Sequence, residues 1–250
     1  MPKAPQPGQR PNHRPVTVPH SLHACWIAAA FTFATSARVR AAPDDNRDGF
    51  APTRNLSDVP KLRSRREVVS RCGALTSVVR EALARLPQAA DEPPVVDAVW
   101  QAEGLGVLLW ALDRIGLPPY DLAFDHDRLL AVALDGATLR PAEEIEHARQ
   151  TARLWHWRAR TGTLQHEGRF PLPERWKSFD QLVAATAMRG HEQGLLPRPL
   201  RGDFPAFGTV YRELTPEQRA EAESIAWERH RALNWLCGLG TSWDEVPTDT

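Results

Sequence analysis

Cysteine is scarce and scattered. Cys25, Cys72 and Cys237 are far apart, with no CxxC pair and no Cys/His cluster. An odd, dispersed set supports neither a disulfide framework nor a zinc signature, and it fits a reducing compartment. Net charge is lacking too, because 31 Lys and Arg balance 31 Asp and Glu. A surface built throughout for nucleic acid or an anionic membrane would not balance in this way. The uncharged run ACWIAAAFTFATSA at residues 24–37 has 14 residues, too short to span a bilayer comfortably as a helix. There is no Gly-rich phosphate loop, no triad order and no metal spacing. His191-Glu192 lacks the second histidine of a metalloprotease helix. Asp125-His126-Asp127 has no further ligands nearby, and Asp125 before an apolar run reads as a helix N-cap. No metal or cofactor is expected.

What is present divides in two. Residues 1–60 hold nine of the 22 prolines with little periodicity, and residues 1–71 carry twelve of the 31 basic side chains against five acidic ones. This part reads as a disordered tail. The run at 24–37, preceded by Lys3, Arg10 and Arg14 and followed by Val39-Arg40-Ala41, is alternatively a signal peptide ending near residue 41. The long charged lead-in and the arginines at 38 and 40 favour a cytoplasmic protein over export.

Residues 61–250 read as one mainly α domain, a helical bundle with a long irregular insertion. Ser64 and Glu67 form a capping box, after which Val68, Cys72, Leu75, Val79, Ala82, Leu83 and Leu86 fall on one narrow arc up to Pro87. Arg63, Arg65 and Arg66 read as a solvated flank. Residues 95–115 are apolar in nearly every direction, which predicts a helix packed on all sides and stopped by Gly116-Leu117-Pro118-Pro119. Gly104 and Gly106 would let another helix approach closely, at some cost in helix propensity. Pro141, followed by Glu143 and Glu144, opens a helix to about residue 160 with Ile145, Ala148, Ala152, Trp155 and Ala159 on its core stripe. In its RLWHWRAR segment, basic and aromatic residues alternate, but packing with a salt-bridged flank fits better than single-stranded nucleic acid. Trp157 is expected on another side from Trp155. Residues 162–214 are rich in Pro and Gly, with a short helix in FDQLVAATAMRG. A last helix starts at the Thr215/Gln218 capping box with Pro216, carries Ala222, Ile225, Ala226, Ala232, Leu233, Leu236 and Cys237 on its stripe, and ends at Gly238.

Each of three helices carries polar residues where apolar ones are expected: Glu103; Arg149 with His156, and Arg153 farther round; Arg229 with His230. A buried charge must be paired or neutralised. These residues are therefore expected to meet, Glu103 pairing with Arg229 or Arg149, while Asp244, Glu245, Asp249 and the chain carboxylate fold back on the remaining arginines. With Asn234 they form a candidate polar cluster.

The segments WQAEGLGVLLWALDRIGLPPYD, LRPAEEIEHARQTARLWHWRAR and above all ERHRALNWLCGLGTSWDEVPTDT resemble the bacterial domain of unknown function 4272 family. The likeness covers roughly residues 62–250, least well at 162–214. The positions fitting its recurring pattern are Trp100, Glu103, Trp110, Glu228, Arg229, His230, Asn234, Trp235, Trp243, Asp244, Asp249 and Thr250. What the resemblance implies is a mostly helical cytosolic domain; it carries over no catalytic residues. Two functions remain. One is an interaction or adaptor module whose partner is another protein, reached through exposed tryptophans such as Trp157 and Trp176 and through the insertion. The other is an enzyme gripping an anionic substrate with Arg149 and Arg229, Glu103 acting as acid or base and His156 or His230 as a second proton carrier.

Overall fold

The computed structural model describes residues 60–169 and 172–248. Cys25, the leader-like run and Asp249 lie outside them. The chain is mainly α. In order come α1 (Arg65–Arg85), α2 (Pro93–Ala111), a short α3 (His126–Leu130), α4 (Ala142–His166), α5 (Phe179–Glu192), a two-residue hairpin of β1 (Pro205–Ala206) and β2 (Thr209–Val210), a 3-10 turn (Tyr211–Glu213) and α6 (Pro216–Leu236). The long helices pack in the spatial order α1, α2, α6, α4, and α5 lies against α4.

Helix starts are decided locally. The Ser64 hydroxyl accepts from the Glu67 amide while the Glu67 carboxylate accepts from the Ser64 amide at 2.9 Å. Thr215 and Gln218 do the same for α6. Each box satisfies amides that the first turn leaves without an intrahelical partner. Asp125 caps α3 by accepting from the Arg128 amide at 3.0 Å.

Helix ends are less local. Gly238, at φ +76°, closes α6, with the Leu239 amide reaching the Asn234 carbonyl. This is the 6→1 bond of a glycine-terminated helix. For α2 the expected stop at Gly116 is corrected. The helix ends at Ala111 because Asp113 takes the left-handed conformation at φ +57° and the Arg114 amide reaches the Leu109 carbonyl. The expected end of α4 near residue 160 is also corrected, since the helix runs to His166. Gly162 does not break it. A Cβ at that position would lie 2.8 Å from an Arg158 guanidinium nitrogen and 3.4 Å from the Tyr211 ring, so the glycine makes room for packing.

The core sits around α2, which is buried without interruption from Ala102 to Ala111. Gly104 faces the Trp243 indole, with Ala232 of α6 just beyond, and Gly106 faces the Phe124 ring. Another helix was expected to approach both glycines; instead the close neighbours are aromatic rings from outside the helices, with the α6 contact only at 3.9 Å from a Cβ placed at Gly104.

On α4 every residue from Leu154 to Ala159 is buried. Trp157 is only 6% exposed, against the expectation that it would be available to a partner. The reason is that α4 is covered twice. While α6 lies along one side, the insertion brings Phe204 to within 5.3 Å of the Trp155 ring and 6.4 Å of the Trp157 ring. Trp176 is half-buried.

Candidate functional site

Glu103 and Arg229 meet. The Arg229 Nε donates to Glu103 Oε2 at 2.8 Å, and the other carboxylate oxygen accepts from the Phe124 amide at 2.8 Å. The remaining guanidinium nitrogens donate to the carbonyls of Pro118 at 2.7 Å, Pro119 at 3.0 Å and Leu122 at 2.8 Å. The Tyr120 and Phe124 rings flank the guanidinium at 5.0 Å each. Glu103 is 1% exposed and Arg229 0%. The pair thus gathers the loop after α2 around a charge that is paired and multiply hydrogen-bonded, the condition under which an ion pair survives burial.

Arg149 does not reach Glu103. Its Nε and a terminal nitrogen donate to the two oxygens of Glu146, one turn back, at 2.7 Å each, and its other terminal nitrogen approaches Asn234 Oδ1 at 3.4 Å. Burial opposes ionisation of Glu146, but the hydrogen bonds from Arg149 and Gln150 outweigh it and hold its carboxyl below the ordinary range. The expected single cluster is therefore two. One is the Glu103–Arg229 pair between α2 and α6. The other is a polar seam along the antiparallel faces of α4 and α6.

Four rungs make up that seam. Cys237 approaches Glu146 at 3.9 Å, Asn234 meets Arg149, the His156 and His230 rings lie 5.1 Å apart, and Thr163 meets Glu223 at 3.4 Å. Trp227 packs edge-on to His156 at 5.3 Å. Both imidazoles are fully buried. Burial, with Arg160 adding, lowers His156 to about 3. Burial first, then His156, Arg149 and Arg153, hold His230 well below the ordinary imidazole range. Both rings are therefore neutral near pH 7, and the Nδ1 of each is buried with no hydrogen-bond partner among the described residues. Arg153 is half-buried beside them, and burial and Arg149 weaken its hold on its proton.

Asp244 and Glu245 do not fold back on the arginines as expected, and Asp249 and the chain carboxylate lie outside the described residues. Asp244 is exposed and forms no ion pair among the described residues. Glu245 is exposed and accepts from the Thr241 hydroxyl. What returns to the bundle is apolar and backbone. Trp243 and Val246 are buried, and the Pro247 carbonyl accepts from Asn234 Nδ2 at 2.8 Å. Arg63, expected in solvent, instead donates to the carbonyls of Trp235 at 3.0 Å and Gly240 at 2.8 Å, with its guanidinium 4.6 Å from the Trp235 ring centre.

One buried pair was not anticipated. Arg158 and Asp203 form a two-pronged ion pair at 2.8 Å and 2.8 Å, with the guanidinium 4.4 Å from the Tyr211 ring centre. Asp203 also accepts from the amides of Phe204 and Arg212. The partners are 45 residues apart, and Asp203 stands in an irregular stretch, so no periodicity marks it.

The two described cysteines make poor nucleophiles. Cys72 and Cys237 are buried, and desolvation pushes both thiols up to about 12. Among the described residues no group of three or more His, Cys, Asp or Glu side chains is placed to hold a metal ion. No described helix is long and apolar enough to cross a membrane. Set against known families, curated proteins and solved structures, the chain finds no match.

Proposed function

We propose that this chain is a protein-interaction module whose ionisable interior holds the fold and whose insertion side meets the partner. The observation that carries this reading is a set of large apolar side chains left in solvent: Leu122 at 58% exposure, Met188 at 48% and Leu200 at 41%. They sit on segments that touch. The Asp121 carboxylate accepts from the Phe207 amide at 2.8 Å, joining the loop of Leu122 to the hairpin. Leu200 pairs with Asp203 just before that hairpin, and a Cβ at Gly202 would lie 3.4 Å from Ala184 on α5, the helix of Met188. Apolar side chains gathered on adjoining surface segments, rather than scattered singly, mark a surface for a protein contact.

The competing reading, an enzyme clamping an anion with Arg149 and Arg229 and using Glu103 as acid or base, has less support. Arg229 is wholly buried and bonded on all three nitrogens, Arg149 is occupied by Glu146, and Glu103 is buried against Arg229.

The test is capture with the tagged full chain from a bacterial lysate, beside a Met188→Glu/Leu200→Glu variant of unchanged melting temperature. One stoichiometric partner on the wild type, lost from the variant, supports the module. Equal recovery by both, or no stoichiometric partner, overturns it.

A further inference from the structure

Residues 238–248 return across the bundle as a strap. Trp243 rests on the Gly104 position of α2, Val246 and Thr248 are buried, and the strap reaches the polar seam at Asn234. That carboxamide has three neighbours. Its Nδ2 lies 2.8 Å from the Pro247 carbonyl and 3.1 Å from His230 Nε2, and its Oδ1 lies 3.4 Å from an Arg149 nitrogen. Two of them fix which way the amide points. A carbonyl can only accept and a guanidinium can only donate, so Nδ2 must face Pro247 and Oδ1 must face Arg149. His230 Nε2 must then be the acceptor, which requires a neutral ring.

We propose that residues 238–248 are a pH-sensitive strap, latched by Asn234 while His230 is neutral and lifted when that imidazole takes up a proton. A protonated Nε2 becomes a donor facing a donor. Relief comes if the amide turns, presenting Oδ1 to the ring, but the turned amide directs Nδ2 at Arg149 and leaves the Pro247 carbonyl without its donor. The charged groups acting on His230 among the described residues are Arg149 and Arg153 of α4, with titratable His156 beside it, and no carboxylate is among them. Among the described residues no carboxylate rewards the proton while the strap is closed. With the strap lifted the ring regains a more ordinary proton affinity, so opening grows by up to about tenfold for each pH unit below the ordinary imidazole value.

Hydrogen exchange of the full chain, corrected for intrinsic rates and followed from pH 7.5 to 4.5, reads this out. In the wild type, protection in residues 238–248 is expected to fall by up to about tenfold per unit below pH 6.5 and to stay well below that of α2 and α6, whose protection declines only with global stability, while far-UV circular dichroism is unchanged. In His230→Gln, whose side-chain oxygen accepts from Asn234 without titrating, strap protection is expected to stay level. Strap protection that merely matches that of α2 and α6 throughout the wild-type titration overturns the proposal, as does a folded His230→Gln variant that still loses the strap. If that variant does not fold, the order of loss in the wild type alone decides.

Discussion

At the scale of single residues, the interior holds charges under two different constraints. Arg158 and Asp203 are fully buried and joined by two hydrogen bonds. Removing one partner from such a pair leaves the other desolvated and uncompensated, at about 3–5 kcal/mol. Asp203→Asn is therefore expected to lose about 3 kcal/mol or more in urea denaturation, and to loosen the hairpin because the Phe204 and Arg212 amides share that carboxylate. The histidines work the other way. Both are neutral when folded and regain their ordinary affinity when unfolded, so the unfolded chain binds more protons as pH falls below about 6.5. Stability contributed by the neutral rings is present above that value and lost beneath it, continuing down to about 3 for His156. The pair is expected to give a slope of about 2.7 kcal/mol per pH unit between pH 6 and 5. His156→Leu should roughly halve that slope in urea titrations at those two pH values; an unchanged slope would show that the ring is not buried neutral.

Among the elements, α2 and α6 carry the fold. Gly106 faces Phe124 so closely that an added Cβ would lie 2.4 Å from the ring, whereas nothing lies within 4 Å at Gly116. Overpacking of this kind typically destabilises by about 1–3 kcal/mol. Gly106→Ala should lower the melting temperature clearly and Gly116→Ala should leave it nearly unchanged, which differential scanning calorimetry on the two variants would decide. The beginning of α6 rests on Thr215, and Thr215→Ala should cost about 1 kcal/mol by removing the cap. Chemical denaturation checks it, and a variant as stable as the wild type would mean that tertiary packing alone sets that helix start.

Across the whole molecule, the parts legible in the sequence are those whose cause is local. The starts of α1 and α6 are written in Ser64/Glu67 and Thr215/Gln218, and the wrapped burial of α2 follows from its unbroken apolar composition. The meeting of Glu103 with Arg229 is legible for a related reason, since each charge interrupts an apolar stripe and neither could be buried alone. The misses are non-local. Gly162 looks like a helix break until Arg158 and Tyr211 fill the space beside it, and Trp157 looks exposed until Phe204 arrives from the insertion. Glu146, which holds Arg149 away from Glu103, stands at the i, i+3 spacing that could have shown it. No such spacing marks the carbonyls of Pro118, Pro119 and Leu122 as acceptors for Arg229.

The buried charges are proposed to hold the helices together rather than wait for a ligand. A double-mutant cycle on Glu103→Gln and Arg229→Met, read by urea denaturation at pH 7.5, tests it most directly. Each single change is expected to lose about 3–5 kcal/mol, and the double variant much less than their sum. A Glu103→Gln protein within about 0.5 kcal/mol of the wild type, or strictly additive losses, would contradict it.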